Sequence, residues 1–183
     1  MTAKKKRKKS IQNPSVNTFS LCQALRVWTL QPSGVPDAPE MGISIEKGEQ
    51  TCDEDGIAGF ASQLIEDSAY KSFSNDLSYV RFNSKVSSSV VLSWRGFLWR
   101  KKLFVEIKPG PLPEGSKIGF IELLELAEED YNCEFVFVCF KKDRSDRACL
   151  MKTFMFMGFI PVKPDHEELI PYKDGYMFLA YEI

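Results

Sequence analysis

Residues 117–159 read KIGFIELLELAEEDYNCEFVFVCFKKDRSDRACLMKTFMFMGF, and this stretch decides the fold class. The run CEFVFVCF, residues 133–140, is nearly continuous apolar sequence, which predicts a central strand covered on both faces. Before it, apolar residues recur at helical spacing while glutamates fall on another side, which predicts an amphipathic helix. The apolar positions of that helix are Phe120, Ile121, Leu124 and Ala127.

A second helix is predicted after the central strand, with Asp143 or Ser145 as its N-cap and Gly158 as its stop. Further out on both sides, segments rich in β-branched and aromatic residues predict strands. A strand–helix–strand–helix–strand order flanked by hairpin-like strands predicts an α/β (α+β) domain with a mixed sheet and two main helices. The predicted outer strands are LSYVRF (77–82), SVVLSW (89–94), KKLFVEI (101–107), IPVKP (160–164) and YMFLAYEI (176–183).

The N-terminal part of the chain has a different character. Proline, glycine and mixed charge interrupt every short apolar run in residues 1–75, which predicts a largely flexible basic and polar region. The folded domain is predicted at residues 76–183. A length of 183 residues with 44% hydrophobic content fits one such domain plus a tail.

The net charge of −1 conceals an asymmetry between a basic arm and an acidic body. Six of the 24 basic residues lie in the first nine positions, so 18 basic residues face 25 acidic ones in the remainder. An acidic body predicts no nucleic-acid partner, because phosphate neutralisation supplies most of that affinity. The basic run has two interpretations, a nuclear-localisation or nucleic-acid patch and a solvated arm without a specific reader. The first predicts a protein of both cytoplasm and nucleus; the run comprises Lys4, Lys5, Lys6, Arg7, Lys8 and Lys9.

Membrane, secretory and metal-binding functions find no support in the sequence. No apolar run reaches the length that spans a bilayer, and no apolar segment follows the basic N-terminus as in a secretory signal. The five cysteines are odd in number and form no CxxC pair, which predicts thiols in a reducing compartment. With His166 as the only histidine, the usual zinc ligand sets are lacking, so we predict no metal site.

The loop GPLPEGSK, residues 110–117, comes close to a phosphate-binding loop but exchanges its final Ser and Lys. Pro111 and Pro113 each remove one backbone N–H from the cradle that phosphate needs, and Glu114 adds a negative charge. Lys117 stands one residue late, which on a helix is a rotation of about 100°. We therefore predict no nucleotide site and no bound cofactor.

An enzymatic alternative follows from the order of the elements. That order resembles the core of the acyl-CoA N-acyltransferase fold, whose members hold the coenzyme pyrophosphate in a short glycine-rich loop before a helix. The corresponding loop here, KPGPLPEGSK, is longer and contains two prolines and Glu114. The prediction is an acyltransferase-like fold without its cofactor loop, and an active N-acyltransferase using acetyl-coenzyme A remains the alternative function.

The charged side chains between positions 114 and 152 indicate a solvated or partner-binding surface rather than a catalytic site. Glu128 and Glu129 could serve as paired carboxylates, but a solvated helix face or a partner surface is the more common use of such a run. His166 lies in a polar loop and is predicted to be solvated, so no catalytic residue is predicted. An acidic helix followed by a basic cluster either selects a protein partner or only aids solubility. The cluster comprises Lys141, Lys142, Arg144, Arg147 and Lys152.

From about Trp94 to Tyr181 the sequence resembles the ornithine decarboxylase antizymes. The resemblance rests on LFVEIKPGPLPEGSK (103–117), LLELAEE (123–129), VFVCFKKDRSDRACLMKTFMFMGF (136–159) and MFLAY (177–181). It implies a non-enzymatic inhibitor with an acyltransferase-like fold that binds the ornithine decarboxylase monomer, prevents homodimerisation and directs the enzyme to ubiquitin-independent proteasomal degradation. It further implies reduced polyamine synthesis and uptake, and binding by antizyme inhibitor. PDAPE (36–40) resembles the region where antizyme messages undergo polyamine-stimulated frameshifting.

The resemblance also implies which residues contact the partner. Two family interface lysines align with Lys117 and Lys142, and acidic helix positions align with Glu125, Glu128 and Glu129. Asp146 and Lys152 fall on the second helix of the same surface.

Overall fold

The computed structural model describes residues 43–48, 57–85, 89–164, 166 and 168–183. Within these residues, seven strands form one sheet in the spatial order first, second, third, fourth, fifth, seventh, sixth. The fourth and fifth strands pair in parallel, and all other neighbours pair antiparallel. The strands are β1 (Ile43–Gly48), β2 (Leu77–Lys85), β3 (Val91–Trp99), β4 (Lys102–Glu106), β5 (Phe135–Lys141), β6 (Ile160–Pro161) and β7 (Tyr176–Glu182).

Two longer and two shorter α-helices accompany the sheet in the described part of the chain. They are α1 (Ile57–Leu64), α2 (Asp67–Phe73), α3 (Ser116–Glu129) and α4 (Arg147–Phe156), with a 3₁₀ turn at Ser74–Asp76. Helix α3 makes the crossover between the parallel strands β4 and β5, and α4 joins β5 to β6. The predicted α/β class, with a mixed sheet and two main helices, is confirmed.

One face of the sheet packs against α3 and α4, and we call it the α3–α4 face. Aromatic rings form its core: Trp94 lies 4.9 Å from Phe120, and Phe120 lies 5.1 Å from Phe154 between ring centroids. Phe154 in turn contacts Phe159 edge to face at 5.4 Å. These contacts join β3, α3 and α4, so the two helices are held beside each other as one layer.

The opposite face, the α1 face, buries a second apolar cluster under α1. Three of its rings stack across adjacent strands, Phe97 on Phe104 and Phe104 on Phe137, with centroids 4.9 Å apart in each pair. From α1, Phe60 and Leu64 are fully buried against this layer. The central strand β5 is therefore covered on both faces, as its continuous apolar sequence predicts.

The packed region begins on the N-terminal side of the predicted boundary at residue 76. Helices α1 and α2 precede that position, and β1 pairs with β2 along its whole length. A signal for α1 is present in GIAGFASQLI, where apolar residues follow helical spacing, but short polar interruptions conceal it. Residues 1–42, including the basic run and PDAPE, lie outside the described residues.

The start of α4 differs from its prediction. Neither Asp143 nor Ser145 is the N-cap, because the helix begins at Arg147 and Asp146 precedes it. The Asp146 carboxylate makes no cap hydrogen bond and is instead bound by the Arg144 guanidinium. The predicted stop is confirmed: α4 ends at Phe156, and Gly158 adopts a left-handed φ of 95° that glycine tolerates without a Cβ clash.

Candidate partner surface

The loop before α3 uses its own polar groups rather than offering them to a ligand. Gly115 adopts a left-handed φ of 84° and precedes the helix. The Ser116 N–H donates to the Pro113 carbonyl at 3.1 Å, and the Ile118 N–H donates to the Gly115 carbonyl at 3.0 Å. The Ser116 hydroxyl is buried and donates to the Pro113 carbonyl at 2.7 Å. These donors at the helix start, which a phosphate cradle would need, are already paired.

Arg144 occupies the inner side of the same loop. Its guanidinium donates to the carbonyl oxygens of Ile107 and Lys108, both at 2.7 Å, and of Gly110 at 3.0 Å. The Arg144 side chain is only 6% exposed and also pairs with Asp146 at 2.7 Å. The Arg144 donors are thus used by the loop carbonyls and by Asp146, so they are not available to an anion such as a pyrophosphate.

Helix α3 lies very close to the sheet because one of its residues is glycine. A Cβ at Gly119 would stand 2.4 Å from the Trp94 ring, closer than packed atoms approach. Glu122 adds a polar tie, accepting a hydrogen bond from the Ser84 hydroxyl at 2.8 Å. The buried positions Gly119, Phe120, Leu123 and Ala127 fall on one side of the helix, so the remaining side faces solvent.

That solvent side carries most of the charges predicted to contact a partner. Lys117, Glu128 and Glu129 are exposed and Glu125 is partly buried. None of the ion pairs among the described residues includes Lys117, whose Nζ lies 5.4 Å from the centroid of the Phe156 ring. Lys152 is exposed on α4. The structure thus brings these residues to one helical layer, with the Lys117 end and the glutamate end about 18 Å apart at 1.5 Å per residue.

Two other predicted contacts are already paired within the chain. Lys142 Nζ lies 2.8 Å from Asp174 Oδ1, and this hydrogen bond raises the pKa of Lys142 and lowers that of Asp174. The hydrogen bonds from Arg144 lower the pKa of Asp146. Asp146 therefore supports the arginine that holds the loop, whereas a partner would have to compete with Asp174 for Lys142.

Three described residues outside this surface, His166, Cys133 and Cys139, carry side chains that can serve in chemistry. His166 is exposed, and its Nδ1 accepts a hydrogen bond from the Glu168 N–H at 3.2 Å. Burial raises the pKa of the Cys133 thiol to about 11 and that of Cys139 well above its ordinary value, so both remain protonated at neutral pH. Among the described residues, no three His, Cys, Asp or Glu side chains are placed to hold a metal ion. None of the described helices is both long and apolar enough to cross a membrane.

An open depression of about 590 Å³ is lined by Glu66, which lies between α1 and α2, and by the segment before β7. None of the seven predicted contact residues lines it. Its lining includes Glu66, Leu169, Tyr172 and Asp174, together with His166. Lys142 reaches the edge of the depression, because its partner Asp174 belongs to the lining.

One feature of the surface is absent from the sequence-based predictions. Phe156, at the end of α4, is 82% exposed, and its sequence neighbour Met155 and Ile118 at the start of α3 are also exposed. The sequence FMFMGF is apolar at nearly every position, so it does not indicate which ring faces solvent. Only the packing of Phe154 into the core identifies Phe156 as the outward ring.

A family model described as ornithine decarboxylase antizyme matches residues 86–183. Ornithine decarboxylase antizyme 2 of Homo sapiens is 45% identical over 104 residues, covering 57% of this chain and 54% of that protein. Ornithine decarboxylase antizyme 1 of Xenopus laevis is 45% identical over 98 residues, covering 54% and 45% of the two chains. Ornithine decarboxylase antizyme 3 of Homo sapiens is 31% identical over 164 residues, covering 85% and 67%. The match thus spans about half the length of the antizyme 1 and antizyme 2 relatives.

Solved structures of other proteins show a fainter likeness. An acetyltransferase from Streptococcus agalactiae superposes with a TM-score of 0.42 at 10% identity, covering 78% of this chain and 99% of that one. A domain from Methanocaldococcus jannaschii gives the same TM-score at 10% identity, covering 79% and 100%. The α/β assignment rests on the observed sheet and helices themselves.

Proposed function

The chain belongs to the ornithine decarboxylase antizyme family, and on that premise we propose that it is a non-enzymatic inhibitor of ornithine decarboxylase. The observation that carries the proposal is the family match over residues 86–183, which contains both main helices and the predicted contact residues. The loop before α3 agrees with it, because Arg144 and the internally paired N–H groups leave that loop unsuited to a coenzyme pyrophosphate.

The proposed mechanism is occupation of a dimer interface. The inhibitor binds one ornithine decarboxylase subunit through the outer surface of α3 and α4 and so prevents the enzyme from forming its homodimer. The support is electrostatic: α3 presents a lysine at its start and exposed carboxylates near its end, an uneven pattern that orients a partner of complementary charge. Lys117 meets a carboxylate of the enzyme, and Glu125, Glu128 and Glu129 meet cations.

Lys142 has a different part in this proposal, because it already has a carboxylate partner. Its Nζ lies 2.8 Å from Asp174, whose side chain is almost fully exposed. Water screens an ion pair as open to solvent as this one, so exchanging Asp174 for a partner carboxylate costs little. Lys152, which is exposed on α4, extends the same positive region.

The further consequences are also proposals. We infer that the complex is delivered to the proteasome without ubiquitin, which lowers polyamine synthesis, that polyamine uptake falls in parallel, and that antizyme inhibitor competes for the same surface. Frameshift-dependent synthesis at PDAPE and a nuclear as well as cytoplasmic location, directed by residues 4–9, complete the proposal. Removal of residues 1–9 should reduce nuclear levels, and unchanged levels would count against the location.

The central experiment titrates purified ornithine decarboxylase with the wild-type chain and with a Lys117→Glu/Lys142→Glu variant. Decarboxylase activity and the mass of the enzyme species by light scattering are measured together. Wild type should abolish activity while converting homodimer into a heterodimer. Lys117→Glu should cost about 2–5 kcal/mol where the lysine pair is desolvated, and much less where it lies at the rim.

A matched control reverses two exposed lysines outside α3 and α4, Lys71→Glu/Lys163→Glu, and makes the same change in net charge. The control variant should inhibit like wild type. Equal inhibition by both variants would refute the contact residues but not the function. Failure of the wild type to change either activity or homodimer would refute the function itself.

A further inference from the structure

We propose that Phe156 is the apolar centre of the partner surface, and that it enters an apolar pocket of the partner whose rim carries the carboxylate for Lys117. This inference rests on the proposed function and adds to it. The charged residues of α3 decide orientation in that proposal, whereas the aromatic ring supplies buried contact area.

The exposure of Phe156 is unusual for a residue so close to the core. Its neighbour two positions earlier, Phe154, is fully buried between Phe120 and Phe159, while Phe156 is 82% exposed. Isolated apolar residues on a surface need no explanation. Here, however, its sequence neighbour Met155 is also exposed, and so is Ile118, the residue after Lys117 at the start of α3.

Lys117 adds a positive charge to this group of apolar side chains. Its ammonium lies 5.4 Å from the centroid of the Phe156 ring, within the range of a cation–π contact. The lysine is thereby held over an exposed ring with its charge still accessible to solvent. A partner that buries the ring must present a carboxylate at the edge of its pocket, because otherwise the ammonium loses water without compensation.

The helices under this group are well fixed. Gly119 allows α3 to touch Trp94, and the Phe120–Phe154 contact joins α3 to α4. Binding therefore requires little ordering of the backbone, which favours affinity. Interfaces commonly concentrate their binding energy in a few such aromatic residues near the centre of the contact.

A second copy of this chain is a poor binding partner for the group around Phe156. A twofold contact centred on Phe156 would pair this group with itself and bring Lys117 of one copy close to Lys117 of the other. The exposed glutamates of α3 lie about 18 Å along the helix from Lys117, too far to neutralise that repulsion. The charge next to the ring thus favours a different, carboxylate-bearing protein.

The test compares Phe156→Ser with Ile160→Ser, which removes an apolar side chain that is 70% exposed but lies on β6. Binding to immobilised ornithine decarboxylase is measured by biolayer interferometry, and thermal unfolding confirms that both variants fold. Phe156→Ser should weaken binding by about 30-fold, mainly through faster dissociation, while Ile160→Ser stays within about twofold of wild type. A Lys117→Ala/Phe156→Ser double variant should lose less than the product of the two single losses, because the two residues share one contact.

Each outcome decides between the two proposals. If wild type and Phe156→Ser bind the enzyme equally well, this inference is overturned and the proposed function stays intact. A wild type that does not bind the enzyme overturns both. Sedimentation of the wild type alone as a dimer, converted to a monomer by Phe156→Ser, assigns the ring to self-association and also overturns the inference.

Discussion

The two faces of the sheet differ in whether their charged side chains are paired within the chain or exposed to solvent. On the α1 face, charges are paired next to the aromatic stack: Arg95 binds Glu106, with their side chains only 11% and 14% exposed, and Lys102 binds Glu168. On the α3–α4 face the inner surface is equally aromatic, but the helices carry their charges on the outside, where Lys117, Glu128 and Glu129 remain exposed.

Because of this difference, we expect charged residues of the α1 face to affect stability and those of the α3–α4 face to affect partner binding. Among the paired charges of the α1 face, changes to Arg95 or Glu106 should affect the fold most, because both side chains are largely removed from water. The exposed charges of the α3–α4 face can be changed at little cost to folding, since surface substitutions usually alter stability by about 0.5 kcal/mol or less. Function is therefore expected to respond to one face and unfolding to the other.

The largest expected effect is on the aromatic stack of the α1 face. Phe104→Ala should lower the free energy of unfolding by about 3–5 kcal/mol, because Phe104 is fully buried between Phe97 and Phe137. Urea denaturation followed by circular dichroism measures the loss. Phe156→Ala is the matched control and should stay within about 0.5 kcal/mol. Equal losses for the two variants would erase the distinction between the faces.

The buried ion pair beside that stack should give the next largest effect. Glu106→Ala leaves the Arg95 guanidinium without its main carboxylate, to which Nη2 donates at 3.1 Å. Removing one member of a buried pair typically costs about 3 kcal/mol or more. Glu134→Ala is the control, because its pair with Lys101 is exposed and should contribute less than about 1 kcal/mol. A small loss for Glu106→Ala in urea denaturation would show that the pair is solvated.

The close contact on the α3–α4 face should give an intermediate effect. Gly119→Ala places a methyl group against the Trp94 ring, so the helix or the ring must move, at a cost of about 1–3 kcal/mol. Tryptophan fluorescence during unfolding measures the loss of stability. Glu128→Ala, an exposed substitution on the same helix, controls for the gain in helix propensity. Stabilisation by Gly119→Ala would mean that α3 lies farther from the sheet.

The smallest effect should appear as a pH dependence of the Lys102–Glu168 pair. The hydrogen bond from Lys102 lowers the pKa of Glu168 below its ordinary value of 4.5, so the pair stabilises the fold above that pH. The stabilisation is lost as the pH falls through the lowered pKa. It should amount to at most about 1 kcal/mol, because Glu168 is 37% exposed and its charge is screened by solvent.

Denaturation series at pH 7 and pH 3 check this dependence. Lys102→Met should lose less stability between the two pH values than wild type, whereas Lys101→Met, next to it on an exposed pair, should behave as wild type. An unchanged dependence in Lys102→Met would exclude the pair as a source of acid sensitivity.

Much of the α3–α4 face could be predicted from the sequence. Strands β2 to β7 and helices α3 and α4 lie where alternating, continuous or helical apolar patterns indicate them. Helices α1 and α2 and strand β1 were missed, because they are short and lie among turn-forming residues whose local signal points to a loop. Long-range packing under the sheet overrides that local signal, as the full burial of Phe60 and Leu64 shows.

The candidate surface also has features that could be predicted from the sequence and features that could not. The exposure of Lys117, Glu128 and Glu129 follows from the helical period, since the apolar positions of α3 determine which side is buried. The partners of Lys142 and Asp146 could not be predicted, because Asp174 is 32 residues away in sequence and Arg144 turns inward to the loop carbonyls of residues 107–110.

The sequence by itself determines the α/β class, the order of the elements and the membership in a family. Those properties depend on the periodicity of apolar residues and on contiguous motifs, both of which can be read along the chain. Tertiary structure alone decides that Arg144 binds the carbonyl oxygens of the loop before α3 and that Asp146 pairs with this arginine. It also decides that Phe156 rather than Phe154 faces solvent. The reason is physical: which polar groups pair and which ring is buried depends on atoms that only folding brings together.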